Sequence, residues 1–342
     1  MSTELQLLLG LAVLYGIFAI LYSSTFATAT NAQNMARQGA ILLVVAIGQM
    51  FVLVIGGFDI SVGANMGFVG TVAALGMTEH GGLWQGLLLG LAAGTAVGLV
   101  NGILIAGLRL SPFIVTLAML TFLQGLANEL SSGASVFGLP NSFQWFGAAD
   151  WGPIPSSLGI AAIVFVLAWF VLARLRIGLY IYAIGGSRDT CRLAGISVVR
   201  YEVLTYTICG LLAGVGGIML ASRVSVGQAS LGQGYELLSI ATAVIGGAAI
   251  GGGVGRLSGV VLGVALLTVL NTGMDIAGIG EFIQQMVTGA VLVVAVIVAQ
   301  IRGVDLRGLA RPGRRQPPAT PSQPSPSEQL EENRAPNPPR ER

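Results

Sequence analysis

The chain has 342 residues, of which 9% are charged and 54% apolar before its 50 glycines are counted, whereas an ordinary soluble domain is about 25% charged. So little polar surface cannot cover a water-soluble fold, and the net charge of +2 is carried on arginine alone, with no lysine and one histidine, His80. These absences exclude a P-loop, a Schiff-base lysine and an H-E-x-x-H metal site, and the spacing of Cys191 and Cys209 indicates no disulfide framework.

Apolar runs long enough to cross a hydrocarbon core of about 30 Å recur as far as residue 301. In chain order they predict ten spans, near 5–22, 39–57, 63–78, 84–106, 112–130, 157–174, 201–221, 236–250, 257–274 and 283–301. The expected fold is all-α, a polytopic bundle of about ten transmembrane helices. The third and eighth runs are short and Gly-rich, which predicts broken or re-entrant segments there. Ala27-Thr28-Ala29 resembles a signal-peptide cleavage site, but the segment before it carries Glu4 and no positive charge, so the first run is read as a retained helix.

Arginine concentrates in cytoplasmic loops, and its distribution sets the orientation. With both termini cytoplasmic, the inner loops hold Arg109, Arg174, Arg176, Arg188, Arg192, Arg200, Arg256, Arg302 and Arg307, against Arg37 and Arg223 outside. A membrane domain over 1–301 is then followed by a tail, 302–342. Its segment 311–342 holds nine of the 13 prolines and almost nothing apolar, so it is expected to be disordered. Arg311, Arg314 and Arg315 at its start read as a solvated flank or as a contact for anionic lipid.

Gly86, Gly90, Gly94 and Gly98 recur every four residues on one helix face, and Gly210, Gly214 and Gly217 do much the same, which suits close backbone packing. Two other clusters, Ile55-Gly56-Gly57-Phe58-Asp59-Ile60-Ser61-Val62-Gly63 and Ile245 to Gly255, contain enough glycine to break a helix. Non-helical backbone at membrane depth is tolerated only inside protein or beside a wet cavity, and paired discontinuities point to a transport pathway. Asp59 is the acid expected nearest membrane depth, with Glu236 and Asp275 at helix ends. It can cap the third helix, line a pathway or gate, or do both. Gln49, Asn65, Asn101, Gln124, Asn128 and Asn271 lie within spans, where amides suit a neutral polyhydroxy solute and equally suit helix-to-helix hydrogen bonds. Asp59, Ser61, Asn65, Asn101, Gln124 and Asn271 are the candidate pathway residues.

The longest inner loop, about 174–202, is also the richest in arginine. Ser187 to Leu193 predicts a short helix with Ser187 as N-cap and Gly195 beyond its C-terminus, a shape suited to docking a soluble partner. Gly178-Leu179-Tyr180-Ile181-Tyr182-Ala183-Ile184-Gly185-Gly186 and Arg192-Leu193-Ala194-Gly195-Ile196 resemble the permease subunits of ribose-type ATP-binding-cassette importers. The resemblance runs over roughly 35–301 and includes Gly57 to Gly63, Asn101-Gly102, Pro112 to Leu117, Glu236-Leu237, Ile245-Gly246-Gly247 and Leu270-Asn271.

That resemblance implies an inner-membrane pore built from two copies or two homologous permeases. A periplasmic binding protein would deliver a monosaccharide to it, and cytoplasmic ATPase subunits would drive it. Gly185, Gly186, Ser187, Arg188, Asp189, Arg192, Leu193 and Gly195 then form the ATPase-coupling loop. Ser187-Arg188-Asp189-Thr190 departs from the family pattern of Asn, an acid and two alanines, which implies a cognate ATPase with complementary acidic residues. No enzymatic activity, cofactor, metal or nucleic-acid partner is expected. A nucleoside or branched-chain amino acid permease, an ion-coupled secondary transporter and a membrane enzyme are the alternatives.

Overall fold

The computed structural model describes residues 3–79 and 81–303, with side chains described as far as Ile297. His80 and the tail beyond Gly303 lie outside the described residues. The helices are α1 (Thr3–Leu21), α2 (Ala29–Val54), α3 (Val62–Glu79), α4 (Leu83–Gly102), α5 (Pro112–Leu130), α6 (Ser156–Arg174), α7 (Arg176–Gly186), α8 (Arg188–Leu193), α9 (Val198–Val224), α10 (Tyr235–Ile245), α11 (Leu257–Ile276) and α12 (Glu281–Gly303). A π-helical turn, Ile103–Gly107, continues α4, and a two-residue hairpin pairs β1 (Asp150–Trp151) with β2 (Ile154–Pro155).

Each expected span contains a helix, and α1, α2, α4 with its π turn, α5, α6, α9 and α11 are long and apolar enough to cross a membrane. The fold is an all-α membrane bundle. The eighth run, 236–250, is a broken segment, as its short Gly-rich pattern predicts. Its helix α10 has 11 residues, about 16 Å at 1.5 Å per residue, roughly half the hydrocarbon thickness. α2 begins ten residues before its expected start because Thr28 caps it, its Oγ1 accepting from the Asn31 amide at 3.2 Å. The residues that resembled a cleavage site are thus a helix start, and the first two turns of α2 are too polar for a hydropathy window to register.

Helix α9 is the axis on which α2, α3 and α4 pack, and glycine sets how closely. A Cβ built on Gly98 would lie 2.9 Å from Gly210 Cα, and one on Gly94 3.2 Å from Gly214 Cα. Gly86 and Gly90, earlier on the same α4 face, press instead on Ala73 and Met77 of α3. A Cβ at Gly48 of α2 would come 3.3 Å from Cys209 Cα. Helices crossing this closely hold together by dispersion, since lipid tails offer no hydrophobic drive between them.

α1 lies beside α11 and parallel to it. At one end Ser258 Oγ donates to Glu4 Oε1 at 2.7 Å, with Arg256 3.8 Å from the same oxygen. At the other end the Phe18 ring covers Gly273. The end that carries Arg256 also carries Arg174, Arg176 and Arg188, and is called the Arg-rich end. The opposite end is closed by 131–155, where a 3-10 turn (Asn141–Phe146) and the hairpin fold over the bundle. Ser222 Oγ donates to Phe143 O at 2.6 Å, and Arg37 Nη2 donates to both Asp150 carboxylate oxygens at 2.5 Å.

From that opposite end, residues 226–234 descend along α3 without helical structure. Val136 and Gly227 exchange backbone hydrogen bonds of 2.8 and 3.0 Å. Below them Gly227 abuts Ala74, Ala229 abuts Gly67, and Gly232 abuts Gly63 and Met66. From Ala74 to Gly63 is eleven residues, so this stretch, with 229–234 in turns, follows about 16 Å of α3 into the bundle before α10 begins. α10 is therefore the second half of a discontinuous segment.

Gly98→Val should overpack the α4–α9 crossing by about 1–3 kcal/mol and lower the Tm of detergent-solubilised protein. Gly125→Ala, at a position with nothing within 4 Å, should be neutral or stabilise by up to about 1 kcal/mol through helix propensity.

Candidate functional site

The two glycine clusters end two helices by the same device. At the end of α2, Gly56 (φ 82°) sends its N–H to Leu53 O and Gly57 sends its N–H to Val52 O, both at 2.9 Å. At the end of α10, Gly247 (φ 92°) bonds Val244 O and Ala248 bonds Ala243 O, again at 2.9 Å. Both are Schellman closures, in which the left-handed residue has to lack a Cβ. The Ile-Gly-Gly triplets are nevertheless one residue out of register, because the left-handed position is the first glycine in one and the second in the other.

The clusters meet. Gly253 N–H donates to Val54 O at 2.7 Å, and Gly252 lies so close that its Cβ would be 3.0 Å from Gly56 Cα. The third member of the junction is the end of α7. A Cβ on Gly185 would collide with Val54 O and the Gly253 amide, and Tyr182 Oη donates to Gly255 O at 2.7 Å. Backbone freed by the broken helices is thus satisfied by other backbone.

Just past this junction the chain enters α3 through Asp59, which is 2% exposed. Its Oδ1 accepts from the Ser61 amide at 2.9 Å and from Ser61 Oγ at 2.6 Å, an Asx turn that leads into α3, and no amide of the first turn of α3 donates to it. Asn101 Nδ2 donates to Ser61 Oγ at 2.9 Å, and Tyr206 Oη donates to Phe58 O at 3.2 Å. Asn65 Nδ2 reaches Gly210 O at 3.1 Å and Gly94 O at 3.4 Å, bonding α3 to α9 and α4. Asp59, Ser61, Asn65 and Asn101 therefore form one sealed cluster tying helices together. Gln124 and Asn271 are elsewhere, each facing a polar cavity.

The smaller cavity, about 270 Å³, is lined by Gln124, Asn128, Gln228 and Gln233 among others. The larger, about 770 Å³, lies between α2, the start of α10, α11 and α12, and Asn271 is in its wall. Both include Ser230 and Gln233, so the non-helical segment 226–234 separates them. Hydropathy had no signal for this segment because it is too short and too polar to register as a span.

In the loop at the Arg-rich end, α8 is capped by Ser187, whose Oγ accepts from the Thr190 amide at 3.3 Å, and Gly195 follows it at φ 78°. The eight loop residues divide by role. Gly185 is locked into the glycine junction. Arg188 turns inward, donating from Nε to Glu202 Oε1 at 2.7 Å and from Nη2 to Ile55 O at 3.5 Å. Asp189 and Leu193 face out, Leu193 at 91% exposure. Glu202, with a 10% exposed side chain, is the residue that sequence reasoning missed: an acid in the second turn of α9 carries no motif, and its partner lies across a loop.

A family model described as branched-chain amino acid transport system / permease component matches residues 31–296. The chain belongs to this permease family. It is 36% identical over 299 residues to the ribose import permease protein of Escherichia coli strain K12, covering 86% of this chain and 93% of that one. The Bacillus subtilis strain 168 ribose import permease protein is 36% identical over 293 residues, covering 85% and 90%. The L-arabinose transport system permease protein of E. coli K12 is 34% identical over 291, covering 84% and 89%. No solved structure matches the chain.

Glu202→Gln and Arg188→Ala should each destabilise the solubilised permease. The cost lies between the roughly 0–1 kcal/mol of an exposed pair and the 3–5 kcal/mol of a buried one, nearer the former because the Arg188 side chain is 45% exposed. Thermal unfolding should show both losses, and the exchange Arg188→Glu with Glu202→Arg should recover part of the stability.

Proposed function

We propose that the chain is the permease subunit of an ATP-binding-cassette importer that forms the pathway for a monosaccharide such as ribose or a related pentose. The family match and the relatives named for ribose and L-arabinose support this reading. The chain supplies no ATPase site of its own, and ATP hydrolysis belongs to a partner subunit. A periplasmic sugar-binding protein delivers the solute, and a second copy or a homologous permease completes the pore, with lipid around it. The Arg-rich end faces the cytoplasm and both termini lie there, in keeping with the positive-inside rule. The membrane domain spans 1–301, and the tail that follows it lies outside the described residues beyond Gly303.

One observation carries the coupling part of this reading: α8 presents Leu193 and Asp189 outward while Gly185, Tyr182 and Arg188 fix its base to the ends of α2, α10 and α9. An exposed leucine at the tip of a capped helix fits an apolar socket on an ATPase. A displacement there moves the glycine junction directly, and with it the start of α3 and the end of α10. This is a rigid coupling of two states by a ligand on another subunit. Asp59, Ser61, Asn65 and Asn101 are then the gate at the cytoplasmic side, and Gln124 and Asn271 lie on the solute side of it.

The family description keeps a second reading in view, a permease for branched-chain amino acids. Uptake of radiolabelled D-ribose, L-arabinose and L-leucine by the reconstituted complex separates the two, with pentose uptake expected. Leu193→Asp and Asp189→Lys should lower ATP-driven uptake at least about tenfold, an effect of about 1.4 kcal/mol, while membrane insertion is unchanged. Unaltered uptake in both variants rejects the coupling role.

A further inference from the structure

We propose that the larger polar cavity is the site where the permease accepts its solute, and that it admits uncharged, hydroxyl-rich molecules and rejects anions. This rests on the importer reading and adds the chemistry that the site selects. Its walls come from Gln38 of α2, Glu236 at the start of α10, Asn271 and Asp275 of α11, and Glu281 and Gln284 of α12. Gln38 lies nine residues into α2 and Asn271 five residues from the end of α11, so the cavity reaches about 8–14 Å in from the end opposite the arginines. Its volume, about 770 Å³, lies in the range of small-molecule sites.

The lining fits one chemical class. Five amides, with Gln233 and Gln285 beside the three just named, supply paired donors and acceptors, and three carboxylates supply acceptors only, the set that two neighbouring hydroxyls of a sugar satisfy. No arginine is among the described residues that line it. An anion would therefore lose its hydration among groups of its own sign with no cation in the wall, whereas a neutral polyol exchanges water for equivalent hydrogen bonds.

Two of the carboxylates are held in place. Glu236 accepts from the Gly234 amide at 3.1 Å through both oxygens, and Asp275 Oδ1 accepts from Gln284 Nε2 at 2.7 Å. Glu236 also ties the cavity wall to α3, because its carboxylate rests against Gly63, where a Cβ would strike it. Gly63 is two residues past Ser61, so this lining carboxylate reaches the first turn of α3, beside the sealed Asp59 cluster. The cavity and the cluster are then the open and closed parts of one route.

The test uses the full-length permease with its ATPase and binding protein in membrane vesicles, carrying N271C or Q284C; the native Cys191 and Cys209 are buried. Modification rates with a cationic trimethylammonium and an anionic sulfonate methanethiosulfonate are compared with those at W145C, an exposed position at the same end. The cationic reagent should lead by about tenfold at 271 and 284, as expected of a focusing cleft of one sign. The ratio should fall toward the W145C value when Glu236→Gln and Asp275→Asn are added, and modification at 271 should abolish radiolabelled D-ribose uptake. Equal rates for the two reagents, or uptake that survives modification, overturn the proposal. The rate ratio does not depend on transport. A complex that takes up neither pentose yet keeps the ratio therefore fails the importer reading while supporting the charge selection of the cavity.

Discussion

Every N–H and C=O placed at membrane depth has to find a partner within the protein, and this requirement governs where the chain is allowed to stop being helical. α2 and α10 both end inside the bundle, and each uses a left-handed glycine to return its last carbonyls to its own amides. What remains unsatisfied is shared, with Gly253 donating to Val54 across the break. The junction has no room for a Cβ at Gly185 or Gly252, so glycine here is demanded twice, by conformation and by approach. The non-helical segment before α10 survives for the same reason, lying against glycines of α3 along its length.

This arrangement makes the base of the loop at the Arg-rich end part of the bundle core. α7 is bonded to the second glycine turn through Tyr182 and packed on the first through Gly185, while Arg188 carries the link on to α9 through Glu202. A force on α8 thus reaches the ends of three helices without crossing a flexible linker. Outside this base Leu193 is exposed, and Asp189, also exposed, pairs with Arg192 at 3.2 Å. The Glu236 carboxylate, a wall residue of the larger polar cavity, rests on Gly63 and so touches the first turn of α3.

Much of this was legible in the residues. The long apolar helices, the side carrying arginine, the capped helix at Ser187 and the break points at the glycine clusters follow from local chemistry, since hydropathy, capping and left-handed φ are properties of short stretches. Asp59 read as a cap or a pathway residue, and the structure shows it closing a turn on Ser61 ahead of α3, within a buried network, without bonding the helix's first-turn amides. Asn65 and Asn101 proved to be interhelical bonds. Other features left no trace in the pattern. The Ile-Gly-Gly similarity gave no hint that its two copies are out of register, and nothing near Glu202 marked it as the partner of Arg188. The non-helical descent of 226–234 fell between two expected spans, 201–221 and 236–250, where hydropathy carries no signal.

The sequence by itself determined that the chain is a membrane bundle, where most of its helices run and which residues end them, because each of these is set by a few neighbouring side chains in a medium without water. Only the tertiary structure decided which broken ends meet, which polar residues are sealed and which line a cavity. Those outcomes depend on close approach between segments as distant as Val54, Gly185 and Gly253, and a backbone hydrogen bond across such distances carries no side-chain signature.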